Sequence, residues 1–493
     1  MNAPSLPPSS EPEPPPAEST PSTAATAAPR RAHTGPNRLY TAGLVGLVAI
    51  LAYYVYSSRT PSVLHLYLGL MMFVGAALPS LLWARRSDFR FPVFEVFMLT
   101  GINTYAIPLL SGHEQLALYP EDTVTAAAIG IVLFQIVANL VYATTKAHPK
   151  RSPAWTDEVI SRNITDYLGY GMAITTAYTI ISGFTDWIPY DLNSVVRAAC
   201  FGVGIISTFI QARMWGLGTL PHYRKGIFVF QLALQVIFSW AALFLIGGMS
   251  ILVLALLGYV SGGKKIPVLA ILIVLPPIAV LHNGKSMMRD KYWEGRAPAP
   301  TLGDLPAFYS EWIDYGLQPA ENQNAKRETT KVLDRSSLFH IMCLVVSQTP
   351  DPRPYLDGET YSYVPGQFIP SFFWKEKPPA HVATNLLSVY YGLQATEATT
   401  KTTIAFGLVT EAYANFGLFG IALLAGVFSF CFKKFGDWSA DSPMLSYPGL
   451  VLIVLMAWSF QTELTLAVWL GSLYQACVVV LGIPFLLRNL LGQ

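Results

Sequence analysis

From residue 39 onward, one feature dominates the sequence: apolar runs of about 20 residues recur, separated by polar turns. A helix needs about 20 such residues to cross the roughly 30 Å of hydrocarbon in a bilayer. Because a spanning helix satisfies its backbone polar groups internally, these runs favour transmembrane helices. We therefore predict an all-α polytopic membrane protein with about twelve spans, at residues 39–57, 63–83, 91–110, 124–143, 165–183, 195–214, 226–244, 246–262, 266–283, 414–432, 447–460 and 467–487.

The composition excludes a soluble enzyme of this length. Of 493 residues, 52% are hydrophobic and 13% are charged, about half the charged share of a typical soluble domain. Mean hydropathy is +0.41. A net charge of +2 provides no electrostatic footprint for nucleic acid. Four cysteines in a chain of this length do not form a disulfide framework.

The basic residues predict the orientation of the spans. Short cytoplasmic loops are enriched in Lys and Arg, and every second loop of this sequence is basic. The alternate loops are short or acidic. This pattern predicts twelve helices with cytoplasmic N- and C-termini. The basic positions are Arg30, Arg31, Arg38, Arg85, Arg86, Arg90, Lys146, Lys150, Arg151, Arg224, Lys225, Lys264, Lys265, Lys433, Lys434 and Arg488.

Two segments lie outside the predicted spans. Residues 1–38 contain ten prolines and almost no large apolar side chains. They cannot bury enough surface to offset the entropy lost on ordering, so we expect a disordered cytoplasmic tail. The same pattern of basic loops places residues 284–413 on the outer side of the membrane, as one long loop between spans 9 and 10 that carries 26 of the 62 charged residues. This loop separates a membrane domain at 39–283 from a second at 414–493.

The long loop is predicted to be folded. Its middle, near 321–348, has the pattern of an amphipathic helix with Val332, Phe339, Met342 and Val346 on its apolar face. Aromatic residues are frequent in the remainder, which argues against disorder. The eight histidines are scattered and none has a second ligand at metal-binding spacing. We therefore predict neither a metal nor a cofactor.

Three stretches in and after this loop carry recognisable motifs. Leu333–Leu338 contains Arg335-Ser336, and Tyr355–His381 contains Ile369-Pro370, Trp374 and Lys377-Pro378. The stretch 402–420 contains Gly407 and the pattern E-x-Y-x-N-F-G from Glu411 to Gly417. In this order, over about residues 330–430, the chain resembles the Wzy-type oligosaccharide repeat-unit polymerases of O-antigen and exopolysaccharide synthesis. It departs from them at Ser371, where relatives carry an arginine after Ile-Pro.

The resemblance implies a GT-C-like architecture in a bacterial inner membrane, with the 284–413 loop in the periplasm, and a specific reaction. Such a polymerase transfers a growing glycan from undecaprenyl pyrophosphate to the next lipid-linked repeat unit on the periplasmic face, usually without a metal. It implies an undecaprenyl-pyrophosphate-linked oligosaccharide and membrane lipids as partners, together with a chain-length regulator.

The residue types suit this chemistry. Without a metal, cationic side chains must neutralise the pyrophosphate leaving group, and arginine binds phosphate in a bidentate manner. The candidate cations are Arg335, Lys377, Arg289, Arg353 and Arg197. Glu411 and His381 are candidates for the base that deprotonates the acceptor hydroxyl. Trp374 and Tyr363 are candidates for stacking on sugar rings.

Each candidate also has a structural interpretation. Arg335 lies at four-residue spacing from Lys331 and eight from Arg327, which is typical of a solvated helix face. Lys377 and Arg197 resemble interfacial anchors, and Glu411 resembles a residue that caps a helix N-terminus. Aromatic belts at membrane interfaces are the commoner reason for residues such as Trp374.

Three alternatives stay open, of which one is a membrane scaffold without chemistry, although a scaffold would not need a large aromatic and basic outer loop. An O-antigen ligase uses the same donor, and the sequence does not separate it from a polymerase. A flippase for lipid-linked oligosaccharides is the alternative from another class. Transporters typically contain internal repeats and interrupted helices at mid-membrane. The sequence has no half-to-half symmetry, which favours the enzyme.

Overall fold

The computed structural model describes residues 38–493 except 61, 86–90, 147–163, 186, 189, 244, 264–265, 294–296, 299, 319–336, 370–373, 375, 401–402, 439–445 and 492–493. All regular secondary structure in this part is helical. We number its longer helices α1 Arg38–Ser57, α2 Val63–Arg85, α3 Val93–Leu110, α4 Glu121–Thr144, α5 Ile164–Phe184, α6 Tyr190–Leu217, α7 His222–Trp240, α8 Leu245–Gly263, α9 Val268–Tyr292, α10 Leu305–Leu317, α11 Leu338–Gln348, α12 Val382–Tyr390, α13 Leu408–Trp438, α14 Tyr447–Ser459 and α15 Leu466–Leu491.

Each of the twelve predicted apolar segments coincides with one helix, namely α1 to α9 and α13 to α15. Within the described residues, seven helices are long and apolar enough to cross a membrane, and α1 and α9 expose most of their apolar surface. These features identify a helical membrane protein. The seven are Arg38–Ser57, Val63–Arg85, Val93–Leu110, Glu121–Thr144, Ala199–Leu217, Val268–Tyr292 and Leu408–Trp438.

The main core lies where α2, α3, α4 and α13 pack together. Phe97 of α3 is at its centre, with ring centroids 6.1 Å from Phe134, 5.6 Å from Phe428 and 5.1 Å from Phe432. Aromatic pairs at such distances contribute about 0.5–1.5 kcal/mol each beyond burial. α3 contains one turn of π-helix at Ile102–Ala106.

The predicted helix near 321–348 is described only from Leu338, where Ser337 caps it by accepting a hydrogen bond from the His340 amide at 3.3 Å. Residues 338–343 are buried on every side of the helix, and Tyr119 approaches His340 Nδ1 to 3.2 Å. The described part of α11 is therefore a core helix. Val332 and Arg335 lie outside the described residues, as does nearly all of the predicted tail.

α13 is interrupted eight residues after it begins. Phe416 and Gly417 have non-helical backbone angles, and Gly417 has φ +61°. A Cβ atom at Gly417 would lie 2.7 Å from the Tyr355 hydroxyl, so the close approach of this tyrosine requires glycine. Residues 408–415 are all buried, whereas Leu418 and Phe419 directly after the break are exposed. α13 thus consists of a short buried segment and a long membrane-type segment.

Candidate functional site

The segment before α12 is docked on the short first part of α13. The amide of Leu356 donates to the Ala414 carbonyl at 3.0 Å. Asn415 Oδ1 accepts from the Gly358 amide at 3.1 Å, and Asn415 Nδ2 donates to Thr360 Oγ1 at 2.7 Å. Gly358 has φ +91°, a conformation that glycine adopts without strain. One asparagine therefore fixes the course of this segment.

The turn at 460–465, between α14 and α15, joins the same end of the bundle. The Gly407 amide donates to the Glu463 carbonyl at 2.9 Å, and the Leu408 amide donates to the Thr462 carbonyl at 3.1 Å. The hydroxyl groups of Thr384 and Thr465 are 2.9 Å apart. α12, α13 and α15 therefore all begin at one end of the bundle, which we call the loop end.

Glu411, a predicted base, is enclosed at the loop end. Its side chain is 0% exposed, and its Oε2 accepts a hydrogen bond from the Leu466 amide at 2.6 Å. Leu466 is the first residue of α15, and the first amides of a helix lack partners within the helix. The Glu411 carboxylate thus caps α15, whereas its position in the sequence had indicated a cap on α13, the helix that contains it.

A second acidic side chain at the loop end is Glu463, which the sequence analysis did not select. It is partly buried, and no hydrogen bond or ion pair of its carboxylate occurs within the described part of the chain. Burial raises the pKa of the Glu463 carboxyl. The signal for it was the polar triplet Gln461-Thr462-Glu463, which interrupts an otherwise apolar region.

His381 and Arg197 lie near each other, although 184 positions separate them in the sequence. The surrounding protein lowers the pKa of His381, and the positive charge of Arg197 lowers it further. His381 directly precedes α12, and Arg197 is exposed near the start of α6. The structure therefore brings a predicted cation and a predicted base together beside α12.

Lys377, Trp374 and Tyr363 belong to one folded turn. Lys377 Nζ donates to the carbonyls of Gln367 at 3.3 Å and Ile369 at 3.0 Å, and partial burial lowers the pKa of its amine. The Trp374 ring is 40% exposed and lies over Gly366. Tyr363 is half-buried, and its carbonyl accepts from Gln367 Nε2 at 3.4 Å. Lys377 therefore holds the turn that presents the tryptophan.

The two remaining candidate arginines in the described part of the chain, Arg289 and Arg353, have structural partners. Arg289 donates from Nε and Nη2 to the Leu243 carbonyl, at 3.1 and 2.7 Å, and its guanidinium lies 4.3 Å from the Trp293 ring. Arg353 lies 5.2 Å from the ring of Tyr390 at the end of α12. Arg289 is thus bound to the turn between α7 and α8. Arg335 and Ser371 lie outside the described residues.

Among the described residues, no group of three or more His, Cys, Asp or Glu side chains could hold a metal ion. In comparisons with known proteins, the chain matches no family model, no curated protein and no solved structure.

Proposed function

We propose that this protein is a membrane glycosyltransferase that polymerises lipid-linked oligosaccharide repeat units. The proposal rests on one observation: the proximity of Arg197 to His381, a histidine that lies seven residues after the exposed Trp374. It is supported by the motif resemblance to Wzy-type polymerases and by the apolar helices, which suit a lipid-linked substrate. In this proposal all twelve apolar helices span the inner membrane, both termini are cytoplasmic, and the loop end faces the periplasm.

The donor would be a glycan on undecaprenyl pyrophosphate. When the glycosyl bond breaks, its electron pair goes to the pyrophosphate oxygen, and a nearby cation stabilises the developing charge. Arg197 supplies a permanent charge and a planar set of donors. Neutral His381, whose pKa is lowered, can donate one ring N–H to the same anion. We assign both side chains to the donor side, and Trp374 to an exposed face of a sugar ring.

The test is complementation of a deletion strain, with exported polysaccharide separated on gels. The deletion should leave single repeat units on the carrier or the final acceptor. Arg197→Ala at equal membrane abundance should lower the yield of polymer about 10²–10³-fold, as for loss of one donor to a developing anion. The matched control is Arg85→Ala, an exposed arginine at the end of α2, which should restore full-length chains.

Other outcomes identify the alternative functions. Long chains that accumulate on the carrier would indicate a ligase. Repeat units retained on the cytoplasmic side would indicate a flippase, and would contradict the roles assigned to Arg197 and His381.

A further inference from the structure

The two acidic residues at the loop end have opposite environments. Glu411 has no exposed surface and one oxygen bound to the Leu466 amide, so its removal from that position would uncap α15. Glu463 is partly exposed, and its carboxylate has no hydrogen-bond partner in the described part of the chain. Where two carboxyl groups lie in different environments, they serve different roles.

The backbone that carries Glu463 is fixed although its side chain is unbonded. Its carbonyl accepts from Gly407, and the Thr462 carbonyl accepts from Leu408. Thr462 Oγ1 also donates to Thr100 Oγ1 of α3 at 3.2 Å. A reactive group held this way on a rigid backbone is preorganised. A surface carboxylate with only a solubilising role does not require such a constrained turn.

The same turn is joined to the helix that begins beside His381. Thr465, two residues after Glu463, is hydrogen-bonded to Thr384, three residues after His381. Arg197 lies close to this histidine, since its positive charge lowers the pKa of His381. The turn with Glu463 and the pair of Arg197 and His381 therefore belong to neighbouring parts of the loop end.

We propose that Glu463 is the general base for the acceptor sugar. In this step the acceptor hydroxyl oxygen forms a bond to the anomeric carbon of the donor, and the bond from that carbon to the pyrophosphate breaks. The hydroxyl proton goes to the Glu463 carboxylate, and the electron pair of the broken bond leaves with the pyrophosphate. This proposal rests on the proposed function. The burial that raises the pKa of Glu463 makes its carboxylate a stronger base.

The experiment uses the full chain in the deletion strain. Glu463→Gln should lower polymer yield by about 10²–10⁴-fold, the usual contribution of a general base. Glu463→Asp keeps a carboxylate but shortens the side chain, so it should retain a measurable part of the activity. The control is Glu114→Gln, the same substitution at an exposed carboxylate between α3 and α4, which should retain wild-type yield.

The outcomes separate this proposal from the proposed function. If the deletion leaves polymer unchanged, the function itself is wrong. If the deletion abolishes polymer but Glu463→Gln restores wild-type chains, only the role of Glu463 is wrong, and loss of polymer in Glu411→Gln at full abundance would assign the base to Glu411. If Glu463→Gln does not accumulate, Glu463→Ala provides the test, because wild-type chains from a variant without any carboxylate at this position would overturn the proposal.

Discussion

The predicted long loop, 284–413, consists of two parts that fold in different ways. Its first part, to residue 318, packs with α7 and α8 in a small cluster around Trp312 and Met288. Its second part, from 337, enters the main core of the helix bundle, where Phe339, Leu387 and Phe406 are fully buried. A loop defined by hydropathy is therefore two structural units, and only the second forms the loop end.

This difference separates the candidate site residues. Arg289 is in the first part and binds the turn between α7 and α8. Lys377 and His381 are in the second part, beside the helices that begin at the loop end. Two residues of the same loop therefore need not belong to the same site. Three predictions test the difference between the two parts of the loop.

The largest expected loss of stability follows from a substitution in the second part of the loop. Phe339→Ala removes a side chain with no exposed surface and should lower the free energy of unfolding by about 3–5 kcal/mol. Thermal unfolding of the purified protein measures the change. Phe419→Ala is the control, since that side chain is 70% exposed. Equal melting temperatures for the two variants would show that the second part only rests on the membrane helices.

A smaller loss of stability is expected from a substitution in the first part of the loop. Arg289→Met keeps the apolar length of the side chain and removes both hydrogen bonds to the Leu243 carbonyl. Hydrogen bonds to charged groups contribute about 1.5–3 kcal/mol, so the melting temperature should fall. Arg289→Lys retains one donor atom, Nζ, so its melting temperature should lie between those of Arg289→Met and the wild type. A variant as stable as the wild type would show that Arg289 is not an anchor.

The smallest effect is on the protonation of His381. Its pKa is lowered in the folded protein, so the unfolded chain binds more protons as pH falls below about 6.5. Stability should therefore decrease as pH falls through this range. Arg197→Gln removes a nearby positive charge and should raise the pKa of His381, measured by NMR of ¹³C-labelled histidine with His381→Gln for assignment. An unchanged pKa would show that the two residues are not close.

The positions of the membrane helices were predictable because an apolar run of fixed length has only one common outcome in a bilayer. All twelve segments coincide with helices, and seven of the described helices are long and apolar enough to cross a membrane. The packing of α11 was not predictable. A pattern with one apolar face indicates a surface helix, whereas His340 and Cys343 are buried by contacts with other parts of the chain.

The sequence allowed the types of residue at the candidate site to be predicted, but it did not allow the role of each residue to be predicted. Glu411 was selected as an acidic residue at the start of a span, but the pattern did not predict that its side chain would be completely buried. Its bond to Leu466 depends on α15, which is 55 residues away. Glu463 was missed because its polar triplet indicated a turn and nothing in the sequence showed which side chain the turn would leave unbonded.

The break in α13 has a consequence for how the protein is made. A broken helix leaves carbonyls without partners, and here the Ala414 carbonyl is paired with the Leu356 amide. Residue 356 is synthesised before residue 414, so the partner already exists when this helix emerges from the ribosome. The biosynthetic order of the chain therefore lets α13 be inserted and matched to its docking segment without waiting for later residues, whereas the cap on Leu466 can form only after the last helix has begun.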